Sequence, residues 1–249
     1  MGSIAQFTAG EFPRARSART ADEAFFIRLS TGLALFILFG FAQFEARGLA
    51  PLNQFPWVVH AHAATMVAWI GVTVVQPRLL RHPNLRVLHR RLGWLSIALL
   101  VLIPVFGSRT GIAAVRLGFV PPFFTPAYFL ALVHVGVFAF VGLVVWAVAL
   151  RKRTDWHGRL MVGSTVVLME PALGRLLPMP LLGSSGEWLA LAVQLGALGI
   201  LARHDRRSLG RVHPATLASG AVVIAVHVTV ELLATFPPLQ ALAASLATA

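Results

Sequence analysis

Apolar runs long enough to cross a bilayer recur along this chain, and no other sequence feature restricts its fold as strongly. The stretch VVHAHAATMVAWIGVTVVQ at 58–76 is one of them. About 20 residues, rising about 1.5 Å each, span the hydrocarbon core as a helix. Lipid offers the peptide group no partner, so each run must close its hydrogen bonds internally. Seven helices are expected, at about 24–43, 57–78, 88–107, 124–150, 157–178, 186–203 and 214–235. The expected fold class is therefore all-α, an integral membrane protein of seven transmembrane helices. The second to fifth of these would form a central four-helix bundle. Residues 1–23 would be an N-terminal tail, 24–235 the membrane domain and 236–249 a C-terminal tail. Pro104 and Pro171 are expected to interrupt the third and fifth helices.

Charged residues make up only 12% of the chain, against about a quarter in soluble domains. Cysteine is absent, which excludes disulfides, thiol catalysis and iron–sulfur ligation. The first apolar run follows Arg14, Arg16 and Arg19 and lacks an evident cleavage site. It reads as a retained helix and not as a signal peptide.

The formal charge of +12 suggests nucleic acid until its distribution is considered. Basic residues cluster at 14–28, 78–91, 151–159 and 203–211, which seven alternating spans put on one side. That side holds 17 of the 21, and the other holds Arg47, Arg109, Arg116 and Arg175. The positive-inside rule then predicts a cytoplasmic N-terminus and a periplasmic C-terminus in the cell inner membrane. The expected partner of the basic face is anionic lipid headgroups, not nucleic acid. The connection at 108–126 is long and partly apolar, as a surface lid would be.

On this topology the histidines fall in a pattern. The second and fourth helices each carry one in the outer half, His62 and His134. The third and fifth each begin with one at the inner surface, His89 and His157. Paired imidazoles on facing helices are the axial ligands that one or two haems need within a helical bundle. His62 shares a stripe with Met66, Trp69, Thr73 and Gln76 at spacings of three and four. His60 lies about 200° around the helix from His62 and faces elsewhere. LHRRLGW and WHGRLMV share the histidine, an arginine two residues on and the following leucine, a faint internal repeat. His82, His204 and His213 are read as having no role as ligands.

This pattern resembles the cytochrome b561 family of transmembrane dihaem electron carriers. The resemblance covers about 57–178 and implies that His62 pairs with His134 and His89 with His157. It departs in spacing, short from His62 to His89 and long from His89 to His134, and the family's ascorbate-binding lysine motif has no counterpart. The whole chain also resembles a group of bacterial multi-pass membrane proteins, through HAATMVAWIGVTVVQ, LHRRLGW, DWHGRLM and GRVHPATL. That second likeness implies no function.

The expected function is a b-type haem electron carrier, working across the membrane or to a quinone, with a redox partner protein at one face. Two alternatives stand beside it. One is a metal-dependent intramembrane hydrolase, with zinc ligands drawn from His62, His134, His227, Glu170 and Glu231. For it, Glu170 precedes Pro171, and His227 and Glu231 share a helix face. The other is a cofactor-free accessory or assembly subunit of a larger respiratory or photosynthetic complex. A retinal protein is excluded, since the one lysine, Lys152, is in a connection.

Overall fold

A computed structural model describes residues 13–50, 52–183 and 185–248, with side chains from residue 22 onward. Residues 1–12 of the expected tail, and the side chains of Arg14, Arg16 and Arg19, lie outside it. Among the described residues the fold is all-α. Its helices are α1 (Pro13–Ala46), α2 (Trp57–Leu79), α3 (Arg86–Arg116), α4 (Pro126–Ala149), α5 (Thr154–Val167), α6 (Glu170–Leu176), α7 (Met179–Leu182), α8 (Ser185–Leu209), α9 (Pro214–Ala234) and α10 (Pro237–Ala247).

Six of these, α1 from Asp22, α2, α3, α4, α8 and α9, are long and apolar enough to cross a bilayer. The expected fifth helix is instead divided into α5 and α6 around Leu168 and Met169. Pro171 is the cause. It has no N–H for the Val167 carbonyl, and its ring crowds that carbonyl. The turn tightens there, with the Met169 N–H bonding the Val166 carbonyl at 3.0 Å. Pro104 has no such effect, and α3 runs through it unbroken.

Two further segments prove helical. Residues 108–116, expected in a surface lid, form the last turns of α3, and only 117–125 remain as a connection. Gly118, at φ 70°, makes the left-handed turn that ends this helix. The C-terminal tail read at 236–249 is helical over 237–247. It forms α10, whose buried Ala243 packs with Val115 of α3 and Ala127 and Leu130 of α4.

Helix starts are legible locally. The Thr125 hydroxyl accepts the Tyr128 N–H at 3.1 Å, with Pro126 following. His213 uses its ring in the same way, Nδ1 accepting the Ala215 N–H at 3.1 Å ahead of Pro214.

Successive helices pack antiparallel in the series α2, α3, α4, α5, while α9 closes onto α4 and α5 and α1 onto α2, α5 and α6. The packing is densest at α5, where 162–167 are all buried. Small residues let backbones approach, as membrane helices without a hydrophobic drive require. Gly163 of α5 faces Ser219 of α9, and Gly40 of α1 faces Ala172 of α6. Large apolar side chains such as Trp94, Leu95, Phe138 and Leu232 point outward, where lipid is their natural solvent.

The arginine-rich end is tied by a buried polar network. Arg159 of α5, counted above with the headgroup-facing basic residues, is in fact buried. Its guanidinium bonds Asp205 of α8 at 2.8 and 2.7 Å. The other Asp205 oxygen accepts the Thr216 hydroxyl at 2.6 Å and the His213 N–H at 3.1 Å. His213 also meets Asp155 at 3.1 Å. His204 of α8 meets Asp22 of α1 at 2.5 Å and stacks on Phe25. His204 and His213 are therefore structural partners joining helices.

Candidate functional site

Helices α3 and α5 hold His89 and His157 in one local arrangement. His89, in the first turn of α3, directs Nδ1 to the Gln76 carbonyl of α2 at 3.2 Å. His157, in the first turn of α5, directs Nδ1 to the Ala147 carbonyl of α4 at 2.8 Å. The cause is the same in both places. An antiparallel neighbour ends with carbonyls that have no intrahelical donor, and an imidazole N–H at the start of the next helix supplies one. The bond holds the proton on Nδ1 and leaves the Nε2 lone pair facing outward from it. The two half-buried imidazoles lie within electrostatic reach of one another. The repeat seen in LHRRLGW and WHGRLMV is thus a repeat of structure.

The pair His62 and His134 is built differently. His134 of α4 has both nitrogens engaged, Nε2 with the Ser108 hydroxyl at 2.8 Å and Nδ1 with the Leu130 carbonyl at 2.8 Å. It lines a small cavity with Pro104, Ser108, Val133, Val137 and Phe138. His62 of α2 packs against Gly107 of α3, where an added Cβ would lie 3.3 Å from its Cε1 and 3.4 Å from Val137 Cγ2. Gly107 and Ser108 of α3 are therefore the direct neighbours of these two rings. His60 is exposed, facing away from that contact as its position on the helix requires.

Among the described residues, buried side-chain N and O atoms without a hydrogen-bond partner gather in two places. The first is the inward stripe of α2: His62 Nδ1, Trp69 Nε1 and Gln76 Oε1. These residues are seven apart, so one helix face carries them along about 21 Å of its length. Trp69 lies edge-on to Phe140 of α4 at 5.1 Å, between the two levels of histidine. Each unpaired buried polar group costs about 1–3 kcal/mol, so a partner for this stripe would be stabilising.

The second place is a cluster at the end away from the arginines. Glu170 of α6, Glu187 of α8 and His227 of α9 bring one donor atom each within 4.8 Å of the others, all three residues buried. None of the four carboxylate oxygens receives a hydrogen bond of good geometry, although the Tyr128 hydroxyl and the Glu170 carboxyl both face Glu187. The His227 Nε2 donor stands 3.5 Å from Glu170 Oε2 and itself donates to Gln194 Oε1 at 2.9 Å. Gln194 is oriented by its other end, Nε2 donating to the Val166 carbonyl at 3.2 Å beside the helix break. Tyr128, the chain's one tyrosine, directs its hydroxyl to Glu231 at 3.4 Å and lies within electrostatic reach of Glu170 and Glu187.

Sequence reasoning names Glu170, His227 and Glu231 and misses Glu187 and Gln194. The ligand set it drew for a zinc hydrolase included His62 and His134, which the structure places against α3 instead. An acid in the first turn of a helix reads as an ordinary dipole partner, so Glu187 carries no signal of its own. A carboxylate opening an apolar run, level with Glu170 on the expected topology, was the one available hint.

The donor chemistry bears on haem b in two different ways. At His89 and His157 it fits: rings each tied through Nδ1 to a carbonyl, Nε2 atoms with no partner among the described residues, and the unpartnered Gln76 oxygen close by on α2. At His62 and His134 it does not, because His134 has no nitrogen to spare. No known protein family, curated protein or solved structure matches this chain.

Proposed function

We propose that this protein is a membrane-embedded b-type haem electron carrier, with His89 and His157 as axial ligands at the arginine-rich end. The observation that carries the reading is the shared tie from each Nδ1–H to the terminal carbonyl of the preceding helix. A haem bound there supplies one-electron ferric–ferrous chemistry, while the protein sets ligation and potential. The Gln76 and Ala147 carbonyls hold the rings and raise the basicity of the free nitrogens. Exposed Arg86 and Arg90 supply cations for the carboxylate arms of a haem. Counting α5 and α6 as one span gives seven crossings, with the second to fifth around these ligands. The basic end then faces the cytoplasm and anionic headgroups. A single haem at one face suits passage of electrons between a redox partner protein there and a quinone in the bilayer.

The test is a dithionite-reduced minus oxidised spectrum of protein purified from haem-replete cells, with haem quantified per chain. The expected result is about one haem b, since only one histidine pair has free nitrogens. His89→Ala and His157→Ala each abolish it, and His134→Ala retains it. A colourless wild-type protein, or haem that survives both inner substitutions, overturns the reading.

A further inference from the structure

The cluster away from the arginines needs a separate explanation. Glu187 is 5% exposed and Glu170 8%, yet no hydrogen bond of good geometry reaches either carboxylate, with the Tyr128 hydroxyl facing Glu187. Arg175, the nearest basic residue in sequence, turns away. It donates to the Pro171 carbonyl at 2.7 Å and stacks over Phe41 and Phe44. Two carboxylates so enclosed require positive charge between them, as metal or as protons.

We propose that Glu170, Glu187, His227 and the Gln194 side-chain oxygen form a site for one divalent cation of the zinc class. Four tetrahedral ligands at about 2.0–2.2 Å from zinc stand about 3.3–3.6 Å from one another. Here His227 Nε2 is 3.5 Å from Glu170 Oε2 and 2.9 Å from Gln194 Oε1, and the Glu170, Glu187 and His227 atoms fall within 4.8 Å. Small side-chain shifts close the shell. Two carboxylates with a neutral imidazole and an amide match a double positive charge. Carboxylate with imidazole suits zinc and its neighbours better than calcium or magnesium.

The surrounding fold holds these donors in advance. The break before Pro171 turns Glu170 inward, and the Val166 carbonyl beside that break pins Gln194 with its oxygen toward His227. The ion takes the place of the Nε2 proton on His227, which moves to Nδ1, so the ring stays neutral. Bound, it clamps α6, α8 and α9 together. The site shares no residue with His89 and His157, so its failure and the failure of the haem reading are separable.

The test uses the full purified chain, stripped with a chelator and then dialysed against zinc or cobalt(II), with metal counted by mass spectrometry. About one zinc per chain is expected, and cobalt(II) should give the visible absorption of a tetrahedral site. Glu187→Gln and His227→Ala should each weaken binding by about tenfold or more. The isosteric pair Glu170→Gln with Glu187→Gln removes both buried charges and should fold without metal. It should also lose the rise in melting temperature that zinc gives the wild type. A stripped wild type that takes up no zinc or cobalt overturns the proposal and assigns the pair as protonated acids. Zinc uptake unchanged in the double Gln variant overturns it as well.

Discussion

Replacing Asp205 with alanine tests the account of what joins α5, α8 and α9. The carboxylate is fully buried and accepts from Arg159, Thr216 and the His213 backbone. Its removal leaves the Arg159 guanidinium, 3% exposed, with no counter-charge. Breaking one side of a buried pair costs about 3–5 kcal/mol. The orphaned Thr216 hydroxyl and His213 N–H would each add about 1–3 kcal/mol if independent. They share one acceptor, so the terms do not sum in full. The expected loss is about 4–5 kcal/mol, close to three powers of ten in the unfolding equilibrium. Reversible unfolding in mixed micelles measures it. The double variant Arg159→Met with Asp205→Leu removes both charges and should recover most of the loss, since buried pairs are often replaceable by apolar ones. A loss below about 1 kcal/mol for Asp205→Ala would match an exposed pair and refute the reasoning. So would a double variant as unstable as the single one.

Further outcomes follow from other contacts. Gly40→Ala puts a Cβ 2.8 Å from Ala172 Cβ and 3.0 Å from its carbonyl, and should cost about 1–3 kcal/mol in the same unfolding assay. Gly163→Ala puts one 2.6 Å from Ser219 Cβ, and Ser219→Gly should relieve part of its cost. Arg175→Ala removes the stacking on Phe41 and Phe44 at 4.3 and 5.5 Å, with an expected loss of about 0.5–1 kcal/mol. The cysteine-free chain allows a direct topology test with single cysteines and an impermeant maleimide on spheroplasts. Arg47→Cys should label and Lys152→Cys should not; the reverse pattern would invert the proposed orientation.

The sequence alone determined what depends on one helix at a time. An apolar run facing lipid has no conformation available but a helix, so the long helices lie where hydropathy puts them. Their starts at Thr125–Pro126 and His213–Pro214, and the break at Pro171, follow from neighbours in the chain. The histidines at the starts of α3 and α5 were legible for the same reason, because their partners are carbonyls of the adjacent helix in each hairpin. Hydropathy did not mark where α3 ends or that α10 exists. Both depend on mutual burial of Val115, Ala127, Leu130 and Ala243, which are remote in sequence. Arg159 looked like any other arginine near an inner helix end, until α8 supplied Asp205 against it. The Glu170, Glu187, Gln194 and His227 cluster was the least legible of all. Its donors come from three helices and its orientation from a fourth contact at the α5 break. Local energetics shape each helix, but only the packing of helices against one another decides which polar groups are left buried together.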